Sequence, residues 1–472
     1  MEVNQNNSFK PSLSLLDATM IVAGSMIGSG IFIVTAEIAR SVGGAGWITA
    51  MWLLAGLVTL IAALSYGELS GMYPKAGGQY VYLREAYNPF IAFLFGWTQF
   101  GIIQTGTIAA VAVAFAKFTA YLIPAFSEQN ILYDGGFIKI SAAQIVAIIS
   151  IILLTQINSK GVKNGKLIQT TFTLAKILSL FGLIIFGLLI GAKQEVWDAN
   201  WVNAWDASAL KQMNGQVVTT AITGLAFLGA VAVSMKGSLF SSDAWNNVTF
   251  IAAEIKNPYK NIGRALFLGT LIVTIIYVSA NLMYLAVLPL HEIAFAANDR
   301  VGVAAAEKIF GSSGSIIIAV MIMISTFGCN NGLILSGARI YYTMAQDGLF
   351  FKKAAQLNQH SVPAYGLWIQ CFWACMLCLT GKYNDLLALV IFGVLIFYVL
   401  TILGIFILRR KQPDLPRPYK AFGYPVLPII YILVAASLAL LLLIFETNYT
   451  LPGLGIILLG IPLYYIALRQ KK

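Results

Sequence analysis

The stretch "AGSMIGSGIF", residues 23–32, lies in the middle of an apolar run long enough to cross a membrane, yet its composition suits a continuous helix poorly. Gly24, Ser25, Gly28, Ser29 and Gly30 stand where Leu or Ala would hold the helix better. Each glycine in a helix interior costs about 1 kcal/mol relative to alanine. Gly24 and Gly28 alone have a packing explanation, because small residues four apart let two membrane helices approach closely. Ser29 and Gly30 extend the weak zone past a full turn, and close packing does not require them. A second such zone, "GSLFSSDAWNN" at residues 237–247, separates the apolar "ITGLAFLGAVAV" from "VTFIAAEIKNP".

The surroundings of both zones define the class of protein. The chain has 472 residues, 59% hydrophobic and only 10% charged, against roughly 25% charged in soluble domains. Hydropathy predicts an all-α polytopic membrane protein with 12 spans, at 13–40, 46–72, 89–124, 141–158, 165–191, 217–255, 261–288, 313–346, 364–380, 384–408, 423–445 and 452–468. Each approaches the ~20 residues that a hydrocarbon core demands. An even number of crossings puts both termini on one side. That side collects 20 of the 30 Lys and Arg residues and the other side 8, which leaves Lys176 and Lys236 inside spans. Excess basic residues mark the cytoplasmic loops, so both termini are expected in the cytoplasm of a cell-membrane protein. The net charge of +11 is therefore a topology and lipid signal, with no nucleic-acid partner implied.

The same residues exclude several chemistries. Cys329, Cys371, Cys375 and Cys378 all fall within predicted spans, so no disulfide framework is expected. The last three share one helix face with no neighbouring acid or histidine, and read as small packing residues. His291 and His360 lie in loops, so no histidine-based catalytic group can assemble at membrane depth. No metal or cofactor is called for, and an enzyme is not expected. The segment "KAGG" at 75–78 is a turn signal and lacks the rest of a phosphate loop.

The two weak zones lie five spans apart, at matching positions of two five-helix halves, 13–191 and 217–408. An odd number of spans per half inverts the second relative to the first. Paired interruptions at corresponding positions point to a transport site between the repeats. Unwound backbone survives at membrane depth only where protein, water or a ligand satisfies it. The inner half of the first span is expected to end near Met26 and Ile27, baring carbonyls, and its outer half to begin near Gly30 and Ile31, baring N–H groups. The outer half of the sixth span ends near Phe240 and Ser241, again baring carbonyls. Carbonyl ends attract a cation and N–H ends an anion. A small ligand carrying both charges is an α-amino acid zwitterion.

At these residues the chain resembles the amino acid–polyamine–organocation superfamily, most closely its L-type amino acid transporter branch. The resemblance runs through "MIVAGSMIGSGIF", "LSYGELSGMYPKAGGQYVYLREAY", "LFSSDAWNNVTFIAAEIKNPYKNI" and "STFGCNNGLILSGARIYYTMAQDG", covering residues 12 to about 410. It implies a five-plus-five inverted-repeat (LeuT-like) fold, discontinuous at helices 1 and 6. A polar tail (1–12), a basic loop (409–422) and two added helices with a short tail (423–472) complete the chain. It implies a carboxylate cradle at Gly28, Ser29 and Gly30. Met26, Ile27, Phe240 and Ser241 would offer carbonyls to the ammonium, with the Phe240 ring as outer lid. Thr107 lies near the substrate side chain, and Ser242 and Asp243 belong to the same interrupted stretch. Lys176, deep in the fifth span, would replace the cation of sodium-coupled relatives, with Ser325 and Asn331 as neighbours.

Two charged residues leave specificity open. Large-neutral-substrate members usually carry Gly where this chain has Asp243. Its carboxylate could pair with a cationic substrate or cap the inner half-helix of the sixth span. Lys236 could neutralise it or sit in a hydrated vestibule. Glu68 and Glu254, near helix ends, read as gate or network members. Eukaryotic members join a heavy subunit through a cysteine before the fourth helix, and residues 119–140 contain none. No heavy-chain partner is expected, and the oligomeric state stays open. The expected function is sodium-independent exchange of L-amino acids by alternating access, with a proton-coupled symporter or a non-transporting sensor as alternatives. A sensor would be expected to carry a soluble signalling extension.

Overall fold

The computed structural model describes residues 9–135, 139–213, 216–380 and 383–471. Most of the expected tail, residues 1–8, lies outside this set, as do Lys382 and Lys472 of the charge tally. Among the described residues, eleven helical segments are long and apolar enough to cross a bilayer, and Ala364–Leu379 forms a shorter apolar helix.

The first span is two helices, α1 (Leu15–Met26) and α2 (Gly30–Val42). α1 starts at a capping box in which Ser14 and Asp17 satisfy each other's backbone N–H groups. α2 ends at Gly43, whose φ of 66° suits glycine. The second span, α3 (Ala45–Met72), leads to a short, largely buried helix, α4 (Gln79–Ala86). The third span joins α5 (Pro89–Thr98) to α6 (Gln104–Leu122) through one widened turn at 99–103. Two further spans follow, α7 (Ala142–Ser159) and α8 (Val162–Phe186), then the short α9 (Gln194–Trp201).

The sixth span is again divided. α10 (Gly224–Ser241) stops, residues 242–246 run without helix, and α11 (Asn247–Phe250) adds a single turn. Next come α12 (Pro258–Val287), the one-turn α13 (Leu290–Ala294) and α14 (Val301–Gln346). Gly311, at φ 73°, turns the chain inside α14, so the eighth span proper starts beyond it. The remaining spans are α15 (Ala364–Thr380), α16 (Tyr383–Lys411), α17 (Val426–Phe445) and α18 (Thr447–Lys471).

Two features depart from the sequence expectation. Among the described residues, two β-hairpins accompany the helices, β1 (Ile131–Asp134) with β2 (Lys139–Ser141), and β3 (Ser208–Met213) with β4 (Gln216–Ala221). The second hairpin occupies the expected start of the sixth span, which begins at residue 224 and not 217. The run "QVVTTA" is apolar enough to score as membrane, but its β-branched residues pair as a strand. Thr223 and Gly224, at φ 57°, then turn the chain into the helix.

Burial agrees with a bilayer setting. The first span is enclosed almost throughout, whereas α17 and α18 present Leu433, Leu440, Ile444, Leu458 and Leu459 outward. Apolar side chains facing out on helices with satisfied backbones are what lipid accepts. The packing also has an internal pattern. α1 lies against α12 and α8, and α10 lies correspondingly against α3 and α16. α3 packs along α12, α6 along α14 and α7 along α15. Exchanging each of the first five spans with the one five places later leaves these pairings unchanged.

Candidate functional site

The three glycines of the opening stretch have separate jobs. A methyl group at Gly24 would overlap the side chains of Gln169 and Thr173 on α8. At Gly28 it would lie 3.2 Å from Cys329 Sγ on α14. At Gly30 it would meet Ser241 on α10, 2.7 Å from Cβ, 3.2 Å from Cα and closer still to Oγ. Gly24 therefore serves close helix packing, as small residues in membrane helices do. Gly28 lies in a true break and Gly30 closes it: α1 ends at Met26, α2 begins at Gly30, and Ile27 is extended at φ −73°, ψ 95°. Ser29 precedes α2 without a side-chain capping bond, so the helix opens on its backbone N–H groups.

The carbonyls at the end of α1 are held by three side chains from two helices. Lys176 on α8 is 1% exposed, and its Nζ donates to Gly24 O at 2.5 Å and Ile27 O at 2.6 Å. An ammonium at a helix C-terminus meets the negative end of the helix dipole, and charge-assisted bonds are the strong ones. Ser325 on α14 donates to Ile27 O at 3.4 Å and Gly28 O at 3.3 Å. Cys329 donates its thiol to Ser25 O at 3.0 Å. Asn331, two residues further along α14, accepts from Asn158 at 2.8 Å and donates to Gln169 at 3.2 Å.

Tyr277 on α12 was not marked by the sequence. Its hydroxyl lies 3.0 Å from Met26 O and 3.0 Å from Ser241 O, so the ends of α1 and α10 converge on one atom. A phenol carries one proton and can donate to only one of these carbonyls at a time. One of three tyrosines in a thirty-residue apolar helix, it stands out by no local pattern. Phe240, Ser241 and Ser242 are buried at the end of α10. Thr107 spends its hydroxyl on Ile103 O of its own helix at 2.6 Å.

Asp243 and Lys236 correct the sequence reading. Asp243 does not cap the inner half of the sixth span, because the residue preceding α11 is Asn246. Its Oδ1 instead accepts from Tyr398 on α16 at 2.7 Å. It lines a small cavity of about 20 Å³, enough for one water, with Thr59, Ser242, Trp245, Tyr398 and Tyr431. Lys236 does not neutralise it. Lys236 Nζ pairs with Glu446 at 3.0 Å and Glu37 at 3.3 Å, partners too distant in sequence to be foreseen.

Charged networks close both ends of the bundle. At the end bearing the termini, Glu68 takes Arg409 at 2.6 Å and the Ala421 N–H at 2.7 Å, so the basic loop is tied to α3. Glu254 pairs with the fully buried Arg339 at 2.9 Å, while its carbonyl accepts from the N–H groups of Ser12 and Leu13 at 2.8 and 2.9 Å. Arg84 pairs with Asp347 at 2.7 Å, and Tyr80 donates to the same carboxylate at 2.9 Å. At the opposite end, Arg40 of α2 pairs with Asp299 at 2.7 Å. Glu68 and Glu254 are thus network members.

Comparison with known proteins agrees with this geometry. Residues 13–461 match the amino acid permease family. The chain is 31% identical to the large neutral amino acids transporter small subunit 2 of Oryctolagus cuniculus, over 97% of this chain and 81% of that one. It is 31% identical to the serine/threonine exchanger SteT of Bacillus subtilis (strain 168), over 99% of both chains. It is 28% identical to the b(0,+)-type amino acid transporter 1 of Mus musculus, over 99% of this chain and 90% of that one. A multi-pass helical chain whose interior is built around two broken spans, matched over residues 13–461, belongs to the amino acid permease family and is an amino acid transporter, not an enzyme.

Proposed function

We propose that this permease exchanges neutral L-α-amino acids across the cell membrane without sodium, by alternating access, with both termini cytoplasmic. The observation that carries the sodium-independent reading is the Lys176 ammonium, bonded to Gly24 O and Ile27 O at the end of α1. A resident cation already satisfies the carbonyls that a metal ion would otherwise need to fill.

In this reading the substrate carboxylate lies on the N–H groups of Gly28, Ser29 and Gly30 at the start of α2. Lys176 engages the Ile27 carbonyl, which leaves those of Met26 and Ser241 to receive the substrate ammonium where Tyr277 now stands. Phe240 closes over the site from the outer half of the sixth span, and Thr107 and Ser242 lie nearer the side chain. Neutral substrates are supported because Lys236 is paired with two glutamates and Asp243 accepts from Tyr398 beside a cavity with room for a single water. The similar exchanger of Bacillus subtilis is named for serine and threonine, and the rabbit relative for large neutral amino acids.

The pairing symmetry of the spans supports two inverted repeats, 13–191 and 217–408, the second shortened to start at 224, with 409–422 as cytoplasmic loop and 423–472 as two added helices. Substrate moves as one set of spans rocks against the other, and the networks at the two ends open in turn. No heavy-chain partner is needed in this account.

The test is exchange in proteoliposomes. Vesicles loaded with unlabelled L-threonine should take up radiolabelled L-threonine or L-leucine in sodium-free buffer, and empty vesicles should not. Added sodium should change nothing. Uptake into empty vesicles driven by an imposed pH gradient would replace the exchanger reading with a proton-coupled one.

A further inference from the structure

At the end of the bundle away from the termini, three charged side chains meet around a pocket of about 200 Å³ that the transport site does not use. Lys117 stands near the end of α6, Glu128 in the turn that follows it, and Arg300 just before α14, with Asn298 and Gln129 beside them. Among the described residues, neither Lys117 Nζ nor the Glu128 carboxylate makes a hydrogen bond or ion pair within the protein. The Nε of Arg300 is buried and likewise unpartnered. The nearby Asp299 is already committed to Arg40 at 2.7 Å.

This arrangement is held in place from behind. Arg300 Nη2 donates to Lys117 O at 2.9 Å, and its guanidinium carbon lies 5.3 Å from the centre of the Tyr121 ring. The guanidinium is therefore fixed before any ligand arrives, which lowers the ordering cost of binding. An anionic group that reaches Lys117 and this fixed guanidinium gains charge-assisted hydrogen bonds at a lower ordering cost than at an open surface. Glu128, exposed on the same pocket, supplies the opposite charge for a ligand's positive group.

We propose that this pocket is a second amino-acid site on the outer face, where a zwitterion docks before entering the transport site. Its carboxylate meets Lys117 and Arg300, and its ammonium meets Glu128. The proposal rests on the transport reading and on its orientation. Its effect is to concentrate substrate at the entrance, as charged clefts do for their ligands. Uptake from the outside then saturates at lower substrate than the transport site alone would allow.

The test uses the whole transporter in intact cells, with radiolabelled L-threonine. The double variant Lys117→Gln with Glu128→Gln removes no hydrogen bond among the described residues, so folding and insertion should be kept. Its KM for uptake should rise roughly ten-fold, the lower end of electrostatic focusing, while the saturated rate stays at wild type. In proteoliposomes, export measured from the face bearing the termini should keep its KM. Lys117→Arg should restore the wild-type value, and acetate should compete far less well than an unlabelled amino acid. An unchanged outer KM, an equal rise on both faces, or acetate competing as well as an amino acid would each overturn the proposal. Absence of any exchange by the wild-type protein would instead remove the transport reading on which it rests.

Discussion

Replacing Gly30 by alanine tests the contact between the two broken spans. A methyl at Gly30 lies 2.7 Å from Ser241 Cβ, 3.2 Å from its Cα and nearer still to its Oγ. The first distance is far below carbon–carbon contact, and Ser241 sits at the end of α10, where backbone and not a flexible side chain must yield. Forced overpacking of this kind costs about 1–3 kcal/mol. At 1.36 kcal/mol per decade that is a loss of roughly five-fold to 160-fold in the rate of any step needing the closed site. Exchange of radiolabelled L-threonine in proteoliposomes should fall by that factor in Gly30→Ala, with insertion and yield unchanged. Ser241→Ala should not rescue it, because Cβ remains. Ser241→Gly should rescue it in part, because only the 3.2 Å contact to Cα is left. Wild-type exchange by Gly30→Ala, or equal rescue by both second-site changes, would show that the first and sixth spans do not close on each other during transport.

Three further outcomes follow from the same geometry. Lys176→Gln removes an ammonium bonded to two buried carbonyls; with hydrogen bonds to charged groups contributing about 1.5–3 kcal/mol each, exchange should drop by at least a hundred-fold, and added sodium should not restore it. Tyr277→Phe removes one hydroxyl shared by Met26 O and Ser241 O; a loss of about 1 kcal/mol should appear in turnover at saturating substrate more than in KM. Glu254→Gln leaves the fully buried Arg339 without its charge partner, and breaking such a pair by removing one side costs about 3–5 kcal/mol. A thermal-shift assay in detergent should therefore show a clear fall in Tm, absent from the exposed control Lys352→Gln.

What could be read in advance follows from what local composition encodes. The break at 27–29 announced itself because glycine and serine are poor residues for a helix interior, and the sixth span carried the same mark at 237–247. The hairpin over residues 208–221 was hidden because valine and threonine score as membrane residues whether they lie in a helix or a strand. The partners of Lys236 come from residues 37 and 446, and Tyr398 reaches Asp243 from 155 positions away. Such pairings depend on how spans stack, and no local spacing records them. Lys176 was legible as a charge with no route to water, but the identity of its two carbonyls was not. Asn246 in place of Asp243 before α11 shows how an interrupted helix restarts later than its composition suggests.

The most direct measurement is a structure of the transporter bound to L-threonine. The carboxylate should lie within about 3.2 Å of backbone N–H groups between Gly28 and Gly30, and the ammonium within the same reach of Met26 O or Ser241 O, with Lys176 still on Gly24 O and Ile27 O. An amino acid bound elsewhere, or residues 27–29 drawn into one unbroken helix around it, would contradict the claim that the broken spans bind the amino acid.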